Sequence, residues 1–167
     1  MYIRCVALIM DVVIRQAQPQ DAPDLERLLQ QILNLHQAAR PEVFKPGAQK
    51  YGMEQILELI ENRQNPVFVA LVGGRVAAYA ICKHISYENH AVFKFHKKLY
   101  LDDFCVDETR RGLGVGTKLF DFLKEYTKEQ GYTYLELNVW EFNQNAINFY
   151  TKAGLQTGKR LMEFWPE

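Results

Sequence analysis

The chain has 167 residues, with 20 basic and 20 acidic side chains and a formal net charge of +0. This length is typical of one domain with its own core, and 48% hydrophobic residues indicate a folded protein rather than a disordered one. The zero net charge argues against broad binding to nucleic acid, which needs a clustered cationic surface. We therefore expect a single domain over residues 1–167 and no nucleic-acid partner.

The cysteines and the N-terminal segment give weaker indications. Three cysteines without a Cys-x-x-Cys pair do not favour a disulfide framework, so we expect a reducing, cytoplasmic compartment. The four histidines show no metal-ligand spacing with them, and no metal site is predicted. Charged residues interrupt the apolar N-terminus, which argues against a membrane span or a cleaved signal. A strand-like segment follows Met10 directly, which suggests residues 1–9 as an upstream extension.

The first half of the chain predicts a strand, two helices and a hairpin. Residues 12–15 form the strand, and Asp21 stands at the N-cap of a helix with apolar residues at i, i+3, i+4 and i+7. A proline-containing loop and a second amphipathic helix from Met53 follow. Gly73 and Gly74 separate two apolar runs and predict a two-residue β-turn.

The second half predicts alternating strands and helices. These are a strand at 99–106, a helix at 117–130, a strand at 132–139, a helix at 145–152 and a final strand at 160–165. A hairpin combined with a β-α-β crossover implies a mixed sheet covered by helices. The predicted class is α/β (α+β), with six or seven mostly antiparallel strands and about four helices.

The segment VDETRRGLGVG, residues 106–116, carries the clearest chemical signal. Its three glycines allow the backbone to approach a ligand closely, and the following helix points its free N–H groups into the loop. With Arg110 and Arg111 these features predict a pyrophosphate site. A nucleotide P-loop would need Lys before Ser/Thr, whereas Thr117 precedes Lys118 here, and a dinucleotide fingerprint would need a different glycine spacing. An ordinary strand-to-helix turn is the plain alternative.

Two motifs in register resemble the GNAT superfamily of N-acetyltransferases. Residues 111–116 match its Arg-x-x-Gly-x-Gly/Ala motif, and residues 143–154 match its Asn-x-x-Ala-x-x-x-Tyr-x-x-x-Gly signature. Residues 100–104 and 147–150 are similar to diamine (polyamine) acetyltransferases, which carry Glu-Asp where this chain has Asp102 and Asp103. The resemblance implies a sheet splayed between its fourth and fifth strands, and acetyl-CoA as the co-substrate.

The resemblance also implies roles for individual residues. The predicted cofactor-binding strand segment is Phe104, Cys105 and Val106, in which backbone groups of Phe104 and Val106 would bind the pantetheine arm and the Cys105 side chain would pack in the core. The pyrophosphate would bind to backbone N–H groups of Arg111, Gly112, Leu113, Gly114, Val115 and Gly116. Asn143 would contact the cofactor from the other side of the cleft, although Asn is also a common helix N-cap. Tyr150 would protonate the leaving thiolate, with a simple core aromatic as the alternative.

The acceptor amine must lose a proton before it attacks, so a base is expected near the cofactor. We predict Asp102 as the proton acceptor, through water, and Asp103 as a binding group for a cationic acceptor, with Glu136 and Glu141 in reserve. Neighbouring strand residues point to opposite faces, so both carboxylates can face one cleft only if a β-bulge redirects one of them. A solvated edge strand would explain the two aspartates equally well.

The expected function is transfer of an acetyl group from acetyl-CoA to a primary amine, such as that of a polyamine. The alternatives are a protein N-terminal or lysine acetyltransferase and a non-catalytic CoA-binding sensor. The fold is commonly dimeric, so a homodimer is also expected.

Overall fold

The computed structural model describes residues 11–87, 89–92, 94 and 97–166. The suggested start at Met10 lies outside these residues. The strands are β1 (Val12–Gln16), β2 (Val67–Val72), β3 (Arg75–Ser86), β4 (Lys97–Val106) and β5 (Tyr134–Leu137). The α-helices are α1 (Ala22–Ala39), α2 (Met53–Glu61), α3 (Val115–Glu129) and α4 (Gln144–Lys152).

The described strands form one mixed sheet in the order β1-β2-β3-β4-β5. The first four are antiparallel to their neighbours, and β5 runs parallel to β4 because α3 carries the chain back across the sheet. Pairing between β4 and β5 stops at Leu101 and Leu137, so residues 102–106 continue without a β5 partner. This confirms the predicted splay between the fourth and fifth strands.

The predicted count of six or seven strands is wrong for the described chain, which has five. The segment at 160–165, predicted as a strand, has no regular secondary structure. A strand needs a neighbour for its backbone hydrogen bonds, and this segment has none among the described residues, although its apolar side chains are spaced like those of a strand. Its large apolar residues are exposed instead, with Phe164 89% accessible.

Two apolar layers cover the two faces of the sheet. Helices α1 and α2 pack on one face, where the core residues are Leu25, Leu28, Ile56, Ile60, Val69, Tyr79, Ile81 and Cys105. Helix α3 packs on the other face, with α4 beside it, and the core residues there are Leu99, Leu101, Val115, Leu119, Phe120 and Leu123. The end of β4 therefore lies between the two layers, next to the start of α3. Of the helices described, none is long and apolar enough for a bilayer crossing.

The start of α1 departs from its prediction in one detail. Asp21 stands at the N-cap position, but its side chain makes no capping bond. It accepts hydrogen bonds from the Arg15 guanidinium at 2.6 and 2.9 Å and from the Gln18 N–H at 2.8 Å. The carboxylate thus fastens β1 to the turn before α1.

Candidate active site

The loop of residues 107–114, called the glycine loop here, begins at an anchored carboxylate. Asp107 accepts hydrogen bonds from the N–H and hydroxyl of Thr109, at 3.0 and 2.8 Å, and forms an ion pair with Arg27 of α1 at 2.5 Å. Burial raises the pKa of Asp107, but these hydrogen bonds and the Arg27 charge outweigh it and lower the pKa to about 2. The start of the loop is therefore held to α1.

The three glycines of the predicted motif have two different roles. Gly112 and Gly114 have φ values of +74° and +79°, and a Cβ added to either would meet nothing within 4 Å. Their side is therefore open, and glycine is needed there for the backbone conformation. Gly116 has an ordinary helical backbone, but a Cβ there would stand 2.9 Å from Cγ2 of Val106. Gly116 thus allows α3 to pack closely on β4.

Backbone donors at the start of α3 remain available. The N–H of Lys118 bonds to the carbonyl of Gly114 at 3.0 Å, and the N–H groups of Val115, Gly116 and Thr117 precede that first helical bond. Leu113 is half exposed, so the glycine loop lies at the surface there. Val115 is buried, so the end of the loop is anchored in the core. Free N–H groups at a helix N-terminus are suited to bind an anion such as pyrophosphate.

The splay leaves one edge of β4 open. The N–H of Asp107 donates to the carbonyl of Ala77 on β3 at 2.8 Å, and backbone groups alternate in direction along a strand. The backbone groups of Cys105 therefore face β3, and those of Phe104 and Val106 face the open side. The Val106 carbonyl accepts a bond from Nε of Arg111 at 3.2 Å, which fits this direction. The open edge can thus pair with an extended, amide-containing ligand.

The Cys105 side chain belongs to the core beneath α1 and α2. Its burial raises the pKa of the thiol to about 12, with the Asp103 charge adding to the effect. The group is protonated at neutral pH, and a thiol in this state is a poor nucleophile.

Helix α4 places Tyr150 against the α3 side of the splay. Asn143 is the N-cap of α4, and its side chain accepts a hydrogen bond from the Ala146 N–H at 3.1 Å. The Tyr150 ring packs on Phe104 and Phe120, with centroid distances of 6.3 and 5.5 Å. Burial raises the pKa of Tyr150, and the nearby Asp103 charge raises it further. The phenol therefore holds its proton at neutral pH and can act as a donor.

A β-bulge brings Asp102 and Asp103, called the acidic pair here, to one side. Asp103 is paired with Ile81 and Leu101 with Cys82, so Asp102 is the extra residue on β4. Nζ of Lys50 lies 2.6 Å from Oδ2 of Asp103 and 4.0 Å from Oδ2 of Asp102. Two consecutive carboxylates that reach one ammonium cannot point to opposite faces.

The acidic pair is already partnered by groups of the same chain. The hydroxyl of Tyr79 donates to Oδ1 of Asp103 at 2.9 Å, and Nζ of Lys83 lies 2.9 Å from Oδ1 of Asp102. Burial lowers the pKa of Lys50, but the Asp103 charge and hydrogen bond outweigh it and the pKa is raised. The site consequently holds two ammonium and two carboxylate groups and is balanced in charge, whereas the sequence suggested an acidic site.

Sequence reasoning missed these partners for different reasons. Lys83 lies opposite Tyr100 in the β3–β4 register, so a correctly aligned hairpin would have placed it near Asp102. Lys50 lies in the loop between α1 and α2, far from the acidic pair in sequence, and no local pattern indicates its position.

The reserve candidates have other partners. Oε1 of Glu136 bonds to Nζ of Lys98 at 2.9 Å; burial raises the pKa of Glu136, but the Lys98 contact outweighs it and the pKa is lowered. Glu141 accepts a bond from Gln144 through its backbone carbonyl. In the described part of the chain, no three His, Cys, Asp or Glu side chains converge on a point that could hold a metal ion.

An aromatic cluster adjoins the acidic pair. It consists of His36, Phe44, Trp140 and Phe142, whose ring centroids lie 5.3 to 6.3 Å apart. Burial lowers the pKa of His36, the Asp103 charge raises it and the Lys50 charge lowers it. His36 is therefore close enough to the acidic pair for these charges to act on it. Arg40 stacks over Trp140 at 5.3 Å. These rings form an apolar wall beside a charged site.

Comparisons with known proteins agree with this geometry. The sequence profile described as "Acetyltransferase (GNAT) family" matches residues 29–155. The chain is 26% identical to a thialysine N-epsilon-acetyltransferase of Mus musculus over 149 residues, which cover 86% of this chain and 83% of that protein. A crystal structure of a mutant of the BH1408 protein from Bacillus halodurans has a TM-score of 0.88 and 28% identity, and the match covers 93% of this chain and 99% of that one.

A more distant structure shares the fold alone. It is an aminoglycoside N-acetyltransferase in complex with CoA, with a TM-score of 0.69 and 15% identity, and the match covers 94% of this chain and 95% of that one. The profile match spans the glycine loop, the splay and α4 together. The chain belongs to the GNAT family and is an acetyl-CoA-dependent N-acetyltransferase.

Proposed function

We propose that this protein acetylates the primary amine of a small molecule that carries at least one further charged group. The observation that carries the proposal is the arrangement along residues 102–106. The glycine loop follows one end of this open edge and the acidic pair stands at the other, a separation of roughly 15 Å at the usual rise of a strand. An extended cofactor bound along the edge would connect the two ends.

The proposed chemistry uses groups on both faces of β4. When bound, acetyl-CoA supplies a thioester whose carbonyl carbon can be attacked by a neutral amine. The glycine loop holds the pyrophosphate with its backbone N–H groups, and the open edge at Phe104 and Val106 holds the amide-containing arm. Asn143 contacts the cofactor from α4, on the other side of the cleft.

As the C–N bond forms and the C–S bond breaks, the proposed reaction moves three protons: the nitrogen loses one before the attack and a second from the tetrahedral intermediate, both to solvent-linked groups, and the departing sulfur gains one. The acidic pair lies on the α1–α2 side, where Asp102 accepts the proton of the acceptor ammonium through a water molecule and Asp103 binds the acceptor. Tyr150 lies on the α3–α4 side and gives its proton to the departing sulfur. The open edge runs between the two faces, so base and acid flank the position of the thioester.

The size of the acceptor is proposed from the surroundings of the pair. Asp102 and Asp103 have side chains only 16% and 9% exposed, and the aromatic cluster stands beside them. Carboxylates this enclosed favour a small molecule over a folded protein. The similarity to a thialysine acetyltransferase points in the same direction.

The first test is thiol release from acetyl-CoA with a panel of diamines, amino acids, aminoglycosides and lysine-containing peptides. Turnover of small amines but not of peptides is expected. Tight CoA binding without turnover of any amine would refute the proposal in favour of a sensor, and turnover of peptides alone would refute it in favour of a protein acetyltransferase.

The second test is Tyr150→Phe. Loss of a general acid lowers kcat by about a hundredfold and leaves KM for acetyl-CoA nearly unchanged. Tyr126→Phe is the matched control, because Tyr126 lies on α3 and its ring packs on Phe68 of β2. An unchanged kcat in Tyr150→Phe would reject the acid role.

Location and assembly are part of the proposal. Cys82 and Cys105 are free and buried, which suits a reducing compartment such as the cytoplasm. A homodimer remains a prediction, and light scattering on the purified protein measures it directly.

A further inference from the structure

We infer that Lys50 and Lys83 are specificity-determining residues that select an acceptor amine carrying a carboxylate over a diamine of the same length. The inference rests on the proposed function and concerns the same site. Its basis is the row of alternating charges at the acidic pair, in which Lys50 lies 2.6 Å from Asp103 and Lys83 lies 2.9 Å from Asp102.

The charge balance decides which ligands fit. A dication that binds to the acidic pair must displace Lys50 or Lys83, and the displaced ammonium then loses its partner without gaining another. A zwitterionic acceptor avoids this loss. Its ammonium binds to Asp103 and displaces a lysine, and its carboxylate then forms an ion pair with the displaced lysine. A site of zero net charge thus favours a ligand whose ammonium and carboxylate are close together, because the enclosed aspartates and the displaced lysine then all keep an opposite partner.

The accessibility of the four groups supports this exchange. The aspartates are nearly enclosed, while the side chains of Lys50 and Lys83 are 36% and 44% exposed. The lysines can therefore swing toward an entering carboxylate while the carboxylates stay fixed. Tyr79 holds Asp103 from the core side at 2.9 Å, which prevents that aspartate from following the lysine.

The two lysines also differ in how they are held. Lys83 projects from β3, a central strand of the sheet, whereas Lys50 comes from the loop before α2, where its ammonium also lies 5.3 Å from the Tyr51 ring. Both lysines can pair with the acceptor carboxylate, Lys83 from a strand and Lys50 from a loop. Lys50 is the one that yields its place on Asp103 to the incoming ammonium.

The test compares amines that differ only in the carboxylate. Lysine and cadaverine form one such pair, and ornithine and putrescine form another. The kcat/KM ratio of amino acid to diamine is measured in the wild type, in Lys50→Met and Lys83→Met, and in Lys45→Met, a control on the same loop as Lys50. Methionine keeps the length of the side chain and removes its charge.

The wild type should prefer the amino acid of each pair by about tenfold, the worth of one charge-assisted contact. Lys83→Met should reduce the ratio by a similar factor, Lys50→Met should raise turnover of the diamine, and Lys45→Met should change neither. Acetyl-CoA binding and the melting temperature of each variant show that it is folded.

Three results would overturn the inference. They are a wild-type preference for the diamines, ratios unchanged in both lysine variants, and turnover confined to other small amines outside the two pairs. In all three the enzyme still releases CoA, so the proposed function stands. Failure to release CoA with any amine would instead refute the proposed function, and the inference with it.

Discussion

Replacement of Asp107 by Asn tests whether the anchored start of the glycine loop matters for stability and for the cofactor. The pKa of Asp107 falls from 3.8 to about 2 on folding, and at 1.36 kcal/mol per unit this corresponds to about 2 kcal/mol at neutral pH. Asn has the shape of the protonated acid and can still accept from Thr109, but it loses the attraction to Arg27. The free energy of unfolding should therefore fall by about 2 kcal/mol at pH 7.

The pH dependence follows from the direction of the shift. Because the folded-state pKa is the lower one, the stabilisation is complete above about pH 4 and is lost as the pH falls toward 2. Denaturant unfolding at pH 7 and at pH 2.5 should show that the difference between wild type and Asp107→Asn shrinks to less than about 1 kcal/mol at the acid end. Asp121→Asn is the control, since the Asp121–Lys124 pair is exposed and should contribute less than about 1 kcal/mol. Equal losses in the two variants, or a constant difference at all pH values, would refute the reasoning.

Three further substitutions or treatments separate the roles of the loop and the strand. Gly114→Ala forces a φ of +79° on a side chain, so we expect weaker acetyl-CoA binding by calorimetry with a loss of stability of about 1 kcal/mol. Gly116→Ala places a Cβ 2.9 Å from Val106, so the free energy of unfolding should fall by about 1–3 kcal/mol and the melting temperature should fall with it. An unchanged melting temperature would show that the Val106 side chain moves aside at no cost. Cys105, whose thiol is buried and has a pKa raised to about 12, should resist iodoacetamide at pH 8 in the folded protein, and rapid labelling located by mass spectrometry would contradict its burial.

Local patterns in the sequence were sufficient to predict the order of the elements. The helix periodicity of α1 and the glycine turn at Gly73 and Gly74 act over a few residues, and the structure shows a helix at Ala22–Ala39 and a hairpin at the glycines. The strand predicted at 160–165 failed because a strand depends on a partner elsewhere. The apolar spacing there is real, but no neighbouring strand of the described chain is available to pair with it.

The same distinction explains how much of the site was predictable. The glycine loop is continuous in sequence, and its position between β4 and α3 follows from the flanking patterns alone. The bulge at Asp102 depends on the register of β3 against β4. The sequence therefore indicated that a bulge is needed for both aspartates to face one cleft, but not that the bulge is present. Lys50 reaches Asp103 only through the packing of α1 and α2 on the sheet, which no local pattern encodes.

The position of Lys50 also changes the meaning of a net charge of zero. The prediction that Asp102 and Asp103 serve a cationic acceptor implies an excess of negative charge at that end of the site. The structure shows compensation within the site itself, through Lys50 and Lys83, while the proposed pyrophosphate site at the other end uses backbone N–H groups at the start of α3. Because the acidic pair is neutralised by two partly exposed lysines, it should attract cations weakly at long range, and on the proposed inference it discriminates among them at short range, where a lysine must find a new partner. Selectivity would then depend on what the ligand offers to the displaced lysine, and a count of carboxylates alone would not predict it.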